Sequence, residues 1–406
     1  MSGPLSGIKV VEMSTYVAGP VTARLLADLG AEVIKVEAPI GDYWRRTGIS
    51  YVPSRFEEDE NPVFDIYNTG KKLVSLNLKT PEGKEAFMKL IAEADVFVTN
   101  TRPAALKRLG VSYEDLKEKF PKLIYAMVLG FGEKGPDKDM PAFDTTAFWS
   151  RSGFFRDMAV KTDDYYPVAQ PSSVGDTATA YLLVAEICAA LYRRTNTDTG
   201  DFVSSTLYRN GIFCMGTMIM IAQPPFGNTY PNTRVDWGVP AGTYECADGE
   251  WIYLNIGTKP YEFHYQLIDR MDILSEPRFI DGPTRWKNRQ ELYEIFRDTF
   301  LTKTSDEWLA LSRSMDLPVV RVNHFKDVSS DPQAWENGYL EHVTFRNGHV
   351  DIMPTSPIEM GSANPAPTKP AEGIGANTAE VLSSLGYSDD QINAMLEAGA
   401  AIGAKN

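Results

Sequence analysis

The chain has 406 residues, 43% hydrophobic and 23% charged, an ordinary balance for a globular protein. That length exceeds one compact core and predicts two domains. The formal net charge of −14 argues against nucleic acid or an anionic membrane as a partner.

No uninterrupted apolar run is long enough to span a bilayer. The opening MSGPLSGIKVVEM lacks the basic start and long apolar stretch of a signal peptide, so a cytoplasmic location is the default expectation. Cys188, Cys214 and Cys246 lie far apart and form no C-x-x-C pair. A disulfide framework or zinc site is therefore not expected, and no metal site is assigned.

The first part of the chain alternates strand and helix. Ile8–Val11 reads as a strand. Gly19-Pro20 opens a helix that runs to about Leu29 and stops at Gly30. Val33–Val36 and Lys72–Leu78 are further strands. Thr80-Pro81 caps a helix to about Ala94, and Val96–Val98 follows as a strand. Ser112 with Asp115 marks another helix start, and Leu123–Val128 another strand. This alternation predicts a mostly parallel, doubly wound α/β sheet.

Between about Gly130 and Gly175 the pattern lapses into Gly, Pro and charge, with the aromatic run WSRSGFF. Long irregular segments of this kind are usually functional. A long apolar helix resumes over Asp176–Arg193, with small residues on one face. From about Gln223 a smaller α+β domain is expected. TYECADGEWIYLNI reads as a hairpin turning at Asp248-Gly249. Helices are predicted near Tyr261–Met271, Asn288–Phe300 and Thr304–Ser314, the last with a capping box of Thr304 and Glu307. A Pro/Ala linker and two short helices complete the chain, and no internal repeat is present.

No G-x-G-x-x-G, Walker loop, G-x-S-x-G elbow or H-E-x-x-H occurs, so no permanently bound cofactor is expected. The four histidines, His264, His324, His342 and His349, all lie in the C-terminal part. Chemistry in the N-terminal part must therefore use carboxylates, lysines, tyrosines or cysteine. Asp176 follows Gly175 where the irregular loop meets the apolar helix. Residue chemistry alone leaves two readings open: a helix N-cap, or a carboxylate held as an anion by the helix field. Lys71, Lys72, Lys79, Arg102, Lys107 and Arg108 cluster in sequence. They suit either a solvated face or a phosphate site.

The stretches GIKVVEMSTYVAGPVTARLLADLGAEVIKVEAPIGDYWR, NTGKKLVSLNLKTPEGKEAF, ADVFVTNTRPAALKRLGVSYEDL and PKLIYAMVLGFGEKGP resemble the class III CoA-transferases. So do SVGD before an Ala-rich helix and the tail GANTAEVLSSLGYSDDQI. The likeness covers essentially the whole chain. EDENPVFDIYNTGKKLVSLNLK and EKGPDKDMPAFDTTAF are most similar to the fermentative branch, which passes CoA to (R)-2-hydroxy acids such as phenyllactate or 2-hydroxyisocaproate. Three departures stand out. Thr177 follows the Asp where that branch carries histidine. Val17 and Ala38 replace the glutamine and arginine of formyl-CoA transferase, which disfavours oxalate-type substrates.

The resemblance implies a large Rossmann-like domain from both chain ends, residues 1–222 and 333–406. Residues 223–332 would form the small domain, and two chains would interlock as a homodimer. It makes Asp176 the catalytic nucleophile and CoA thioesters and carboxylic acids the substrates. It places Leu76, Asn77, Leu78 and Lys79 beside the adenine. Asn100 and Arg108 would meet the diphosphate or pantetheine, with Arg45 and Arg102 as further phosphate contacts. Val17, Ala18 and Asp144 would line the thioester end. Phe148–Phe155, Tyr165 and Tyr166 would exclude water or else fill the core. Related racemases and epimerases require a histidine in the loop that here reads PAFDTTAF, and none is present. The resemblance also admits carnitine-like or bile-acid-like acceptors, and an acyl-CoA binder without catalysis.

Overall fold

The computed structural model describes residues 3–46, 61–158, 173–224, 226–227, 230, 233–236, 238–255, 259–361, 365 and 367–404. These fall into two compact units. One is drawn from residues 1–154, 170–219 and 333–406, the other from 155–169 and 220–332.

The larger unit is built on strands β1 (Lys9–Met13), β2 (Glu32–Glu37), β3 (Lys72–Leu76), β4 (Val96–Thr99), β5 (Ile124–Leu129) and β6 (Asp201–Thr206). Their spatial order is β3-β2-β1-β4-β5-β6, all parallel. Ala401–Ile402 adds an antiparallel edge, with Ala401 opposite Leu76. The chain's last strand thus lies in the same sheet as its first.

Successive strand residues face opposite sides of a sheet, and the apolar pattern obeys this. Val11, Phe97, Tyr125 and Met127 join Phe87 and Ile91 of helix Pro81–Glu93 in one layer, together with Val381 and Ile392 from the C-terminal helices. Val10, Val96, Val98, Ile124 and Ala126 face the other layer, formed by helix α1 (Ala18–Asp28) and helix Val174–Thr197. Strands buried on both faces read as near-continuous apolar runs, as IYAMVL does in β5.

Helix Val174–Thr197 is long and apolar enough by composition to cross a membrane. Here Leu183, Ile187, Ala190 and Leu191 are buried in the sheet's core instead. In the segment expected to be irregular, the described residues form a wide helical turn, Asp144–Ser150, directly over the start of that long helix, and a short α-helix, Phe154–Asp157.

The smaller unit has three antiparallel strands, Gly242–Glu245, Trp251–Leu254 and Val319–Arg321. Its hairpin turns at Asp248-Gly249, with Gly249 at φ +78°. Helices Arg289–Phe300 and Ser305–Ser314 cover it, and in its core Phe300 packs against Tyr244 at 4.8 Å and meets Trp308 edge-on at 5.0 Å between ring centres. The Thr304–Glu307 capping box is formed as the sequence predicts. Helix Tyr261–Leu267 ends earlier than predicted, because Asp269 takes a left-handed conformation at φ +55°.

Candidate active site

In an open α/β sheet the binding crevice lies beyond the carboxyl ends of the strands, where strand order reverses. Here β1 sits between β2 and β4, so the crevice falls at the ends of β1 and β4. Val17 and Ala18 follow β1, Leu76–Lys79 end β3 and continue beyond it, and Asn100 and Arg102 follow β4. The resemblance-based candidates in the first half of the chain thus share one edge of one sheet.

The β1 end is held from two sides. Asn100 accepts from Thr15 N–H (3.0 Å) and donates to Thr15 C=O (2.6 Å). Beneath it lies a fully buried ionic network. Glu12 pairs with Lys35 (2.8 Å) and Lys71 (2.7 Å), and Lys35 also pairs with Asp42 (3.0 Å). Lys35 donates to Ser14 C=O and Lys71 to Pro20 C=O, so the network fixes the turn as well as neutralising itself. Burial alone would raise the Glu12 pKa, but the two lysines outweigh it and hold the carboxyl at about 2. Burial dominates at Lys71, which falls to about 8.

Lys71 therefore belongs to neither expected use of the basic cluster: it is neither solvated nor free for phosphate. Arg45 is likewise committed. Its guanidinium grips Glu37 at 2.9 and 3.0 Å and lies over the Phe64 ring at 3.9 Å. A phosphate contact from Arg45 would have to share a guanidinium that already pairs with Glu37.

The second half of the site is the start of helix Val174–Thr197. Ser173, at φ +69°, occupies the N-cap position, and Asp176 lies in the first turn. The cap reading of Asp176 is thereby removed. The Asp176 side chain accepts no hydrogen bond among the described residues, and its pKa is raised to about 7, first by burial and then by the Asp144 charge. Asp144 is 6% exposed and lies against Gly175. Burial raises its pKa to about 6, opposed by the Trp149 indole and the backbone N–H groups of Gly175, Ser173 and Asp176. Neither Asp144 oxygen completes a hydrogen bond of good geometry. Two carboxyl groups thus meet at one helix start, where the Asp144 charge adds to burial in raising the Asp176 pKa. Val17 is packed in the same buried cluster as Ala180, one turn beyond Asp176, which ties the β1 end to this helix.

A separate open cleft of about 690 Å³ lies between the β3 end and helix Pro103–Leu109. Leu78, Lys79, Thr80, Lys84, Arg108 and Leu109 line it. It brings together Leu78, Lys79 and Arg108 and adds Lys84, which donates to Leu109 C=O. Leu76 is buried in β3, and Asn77 is held by the C-terminal segment, its N–H donating to Ala400 C=O. Arg102 is exposed beside the helix start and does not line the cleft.

The aromatic run follows its core reading at Phe148, which is 2% exposed and stacks with Phe154 at 5.3 Å. Tyr165 and Tyr166 lie outside the described residues. Among the described residues, Tyr43 and Phe143 are exposed rings near the crevice, gathered around half-buried Tyr16. Tyr16 stacks on Tyr43 and meets Phe143 edge-on. No motif distinguishes these three in the sequence.

The profile of CoA-transferase family III matches residues 5–378. The chain is 38% identical over 392 residues to (R)-2-hydroxy-4-methylpentanoate CoA-transferase of Clostridioides difficile, covering 96% of this chain and 97% of that one. It is 35% identical over 397 residues to cinnamoyl-CoA:phenyllactate CoA-transferase of Clostridium sporogenes, covering 95% and 94%. Among solved structures, Rv3272 from M. tuberculosis superposes with a TM-score of 0.81 at 27% identity, over 94% of this chain and 99% of that one. A CAIB/BAIF family protein from Brucella suis gives 0.81 at 26%, over 95% and 100%. The chain belongs to CoA-transferase family III and is a class III CoA-transferase.

Proposed function

We propose that this enzyme moves CoA from an acyl- or enoyl-CoA to an (R)-2-hydroxy acid with an apolar or aromatic side chain, using Asp176 as nucleophile. The observation that carries the reading is the Asp176 carboxylate. It stands in the first turn of a helix, accepts no hydrogen bond among the described residues, and has Asp144 behind it. The two 2-hydroxy acid relatives support the substrate class.

An Asp176 oxygen attacks the thioester carbonyl carbon, and the C–S bond breaks. This leaves a mixed anhydride and CoA thiolate. The thiolate attacks the aspartyl carbonyl, releasing the first acid as its carboxylate and forming an aspartyl-CoA thioester. The acceptor carboxylate attacks that carbonyl and expels the thiolate, which then attacks the acceptor's carbonyl in the second anhydride. Product thioester leaves and Asp176 is restored, with no net proton or electron transferred. Covalent catalysis divides one difficult exchange into easier acyl transfers. A carboxylate whose pKa lies near neutrality is a stronger nucleophile than one near 4, yet is still ionised in useful fraction. Asp144 contributes to that balance through its charge.

The cleft at Lys79, Lys84 and Arg108 suits the adenine and phosphates. It offers three cations in an otherwise acidic chain and opens on the first turn of helix Pro81–Glu93, where N–H groups favour anions. The pantetheine arm then runs along the strand ends towards Asp176. A homodimer is part of the same proposal. Tyr181, Leu182 and Tyr192 of the long helix are 47%, 41% and 74% exposed, an apolar face suited to a second copy. A cytoplasmic setting, where CoA thioesters are made and used, fits the chemistry.

The test is transfer from cinnamoyl-CoA to phenyllactate, followed by mass spectrometry of the thioesters. Asp176→Ala is expected to abolish transfer with CoA affinity retained. Transfer by the variant within about tenfold of the parent would exclude Asp176 as nucleophile.

A further inference from the structure

We infer that Tyr16, Tyr43 and Phe143 form the wall that receives the side chain of the carboxylic acid, and so set which acids are accepted. This rests on the transferase reading above and adds to it the residues that select the substrate.

Position is the first argument. Tyr16 directly precedes Val17 at the β1 end, and Phe143 directly precedes Asp144, whose carboxylate touches Gly175 beside Asp176. A ring at either place stands next to the groups that would surround the reacting carbonyl.

Exposure is the second. Tyr43 and Phe143 are 52% and 53% exposed, although Tyr43 stacks on Tyr16 at 6.1 Å and Phe143 meets it edge-on at 5.6 Å. Aromatic rings gathered into a cluster and still half open to water present faces and edges to an incoming apolar group. Phe148 cannot serve this purpose, because it is buried beneath the helix start.

Rigidity is the third. Tyr16 adopts φ +65°, which a residue with a β-carbon holds only when its surroundings enforce it. They do so here. Tyr16 N–H donates to Asp42 (3.1 Å), Asp42 is paired with buried Lys35, and the Tyr16 ring rests 5.9 Å from buried Trp44. The ionic network thus carries a fixed aromatic platform. An aryl or branched alkyl side chain gains from stacking on it, whereas a small dianion would lose hydration and gain no partner.

The test compares kcat/KM for phenyllactate with that for lactate, using one acyl-CoA donor. In Phe143→Ala and Tyr43→Ala the phenyllactate-to-lactate ratio should fall by about tenfold or more, and Tyr43→Phe, which keeps the ring, should hold it within about threefold. Should an alanine variant not fold, Phe143→Leu and Tyr43→Leu keep apolar bulk and should still lower the ratio. An unchanged ratio in folded, active variants overturns the inference. So does an equal loss with both acids, or a change confined to oligomeric state by sedimentation. Failure of the parent enzyme to transfer CoA to either acid would instead overturn the proposed 2-hydroxy acid acceptor class itself.

Discussion

Gly175 and Asp144 make a contact that admits no side chain at position 175. A β-carbon there would lie 2.1 Å from Asp144 Oδ1 and 2.3 Å from the Phe148 ring. The glycine is required by space, and it lets the buried carboxyl approach the helix start that carries Asp176.

Gly175→Ala should therefore displace Asp144, Phe148 or the helix start. Overpacking of this kind costs about 1–3 kcal/mol, and CoA transfer should fall by more than the loss of folded protein explains. Denaturant unfolding with kcat on the same preparation checks this. A variant of parental stability and activity would show that the contact relaxes freely.

The Asp144 charge raises the Asp176 pKa, so removing it should lower that pKa. Transfer needs the ionised nucleophile, and its rate should rise with pH through an acid limb near about 7. In Asp144→Asn that limb should move to lower pH. Profiles of kcat/KM against pH for both proteins decide the matter; a limb that stays in place would remove Asp144 from the electrostatics of the site.

The same shift has a cost in stability. A carboxyl whose folded pKa lies above its unfolded value of 3.8 holds its proton more tightly when folded, so stability falls as pH rises towards about 7. Asp176→Asn should accordingly melt higher than the parent above neutral pH, by roughly 1–3 °C, with the difference fading as pH approaches about 4. Calorimetry across that range measures it, and a lower melting temperature for the variant would contradict the raised pKa.

Glu12 behaves in the opposite sense. Its pKa of about 2 lies below the ordinary 4.5, so its contribution is present above 4.5 and is lost as pH falls towards 2. Glu12→Gln leaves Lys35 and Lys71 buried without their shared counter-ion. It should destabilise by about 3–5 kcal/mol at neutral pH, with the gap narrowing in acid. Urea unfolding at several pH values is the measurement, and a loss well below that range would mean that water or rearrangement replaces the carboxylate.

Strand–helix periodicity made the parallel sheet legible, because strands buried on both faces are short apolar runs between capped helices. Asp248-Gly249 and the Thr304 box were equally readable, each being a local signal. The hairpin Leu340–Thr344 with Val350–Pro354 is not among the elements the sequence predicts, although Asn347-Gly348 carries its turn signature and Gly348 sits at φ +82°. At the site, Asp176, Asp144, Lys79 and Arg108 can be proposed from family likeness. The employment of Lys71 and Arg45 could not, since a buried lysine beside Glu12 and an exposed one on a helix read alike in sequence. Tyr16, Tyr43 and Phe143 meet only through long-range packing, which periodicity does not report.

Transfer by the proposed route requires that the Asp176 carboxyl become covalently acylated. The direct measurement is to incubate the enzyme with acyl-CoA and hydroxylamine, digest it, and locate the modified peptide by mass spectrometry. A hydroxamate is expected on Asp176 only, formed only when acyl-CoA is present, and absent from Asp176→Asn. CoA transfer proceeding at full rate with no modification of Asp176, or with the label on another residue, would contradict it.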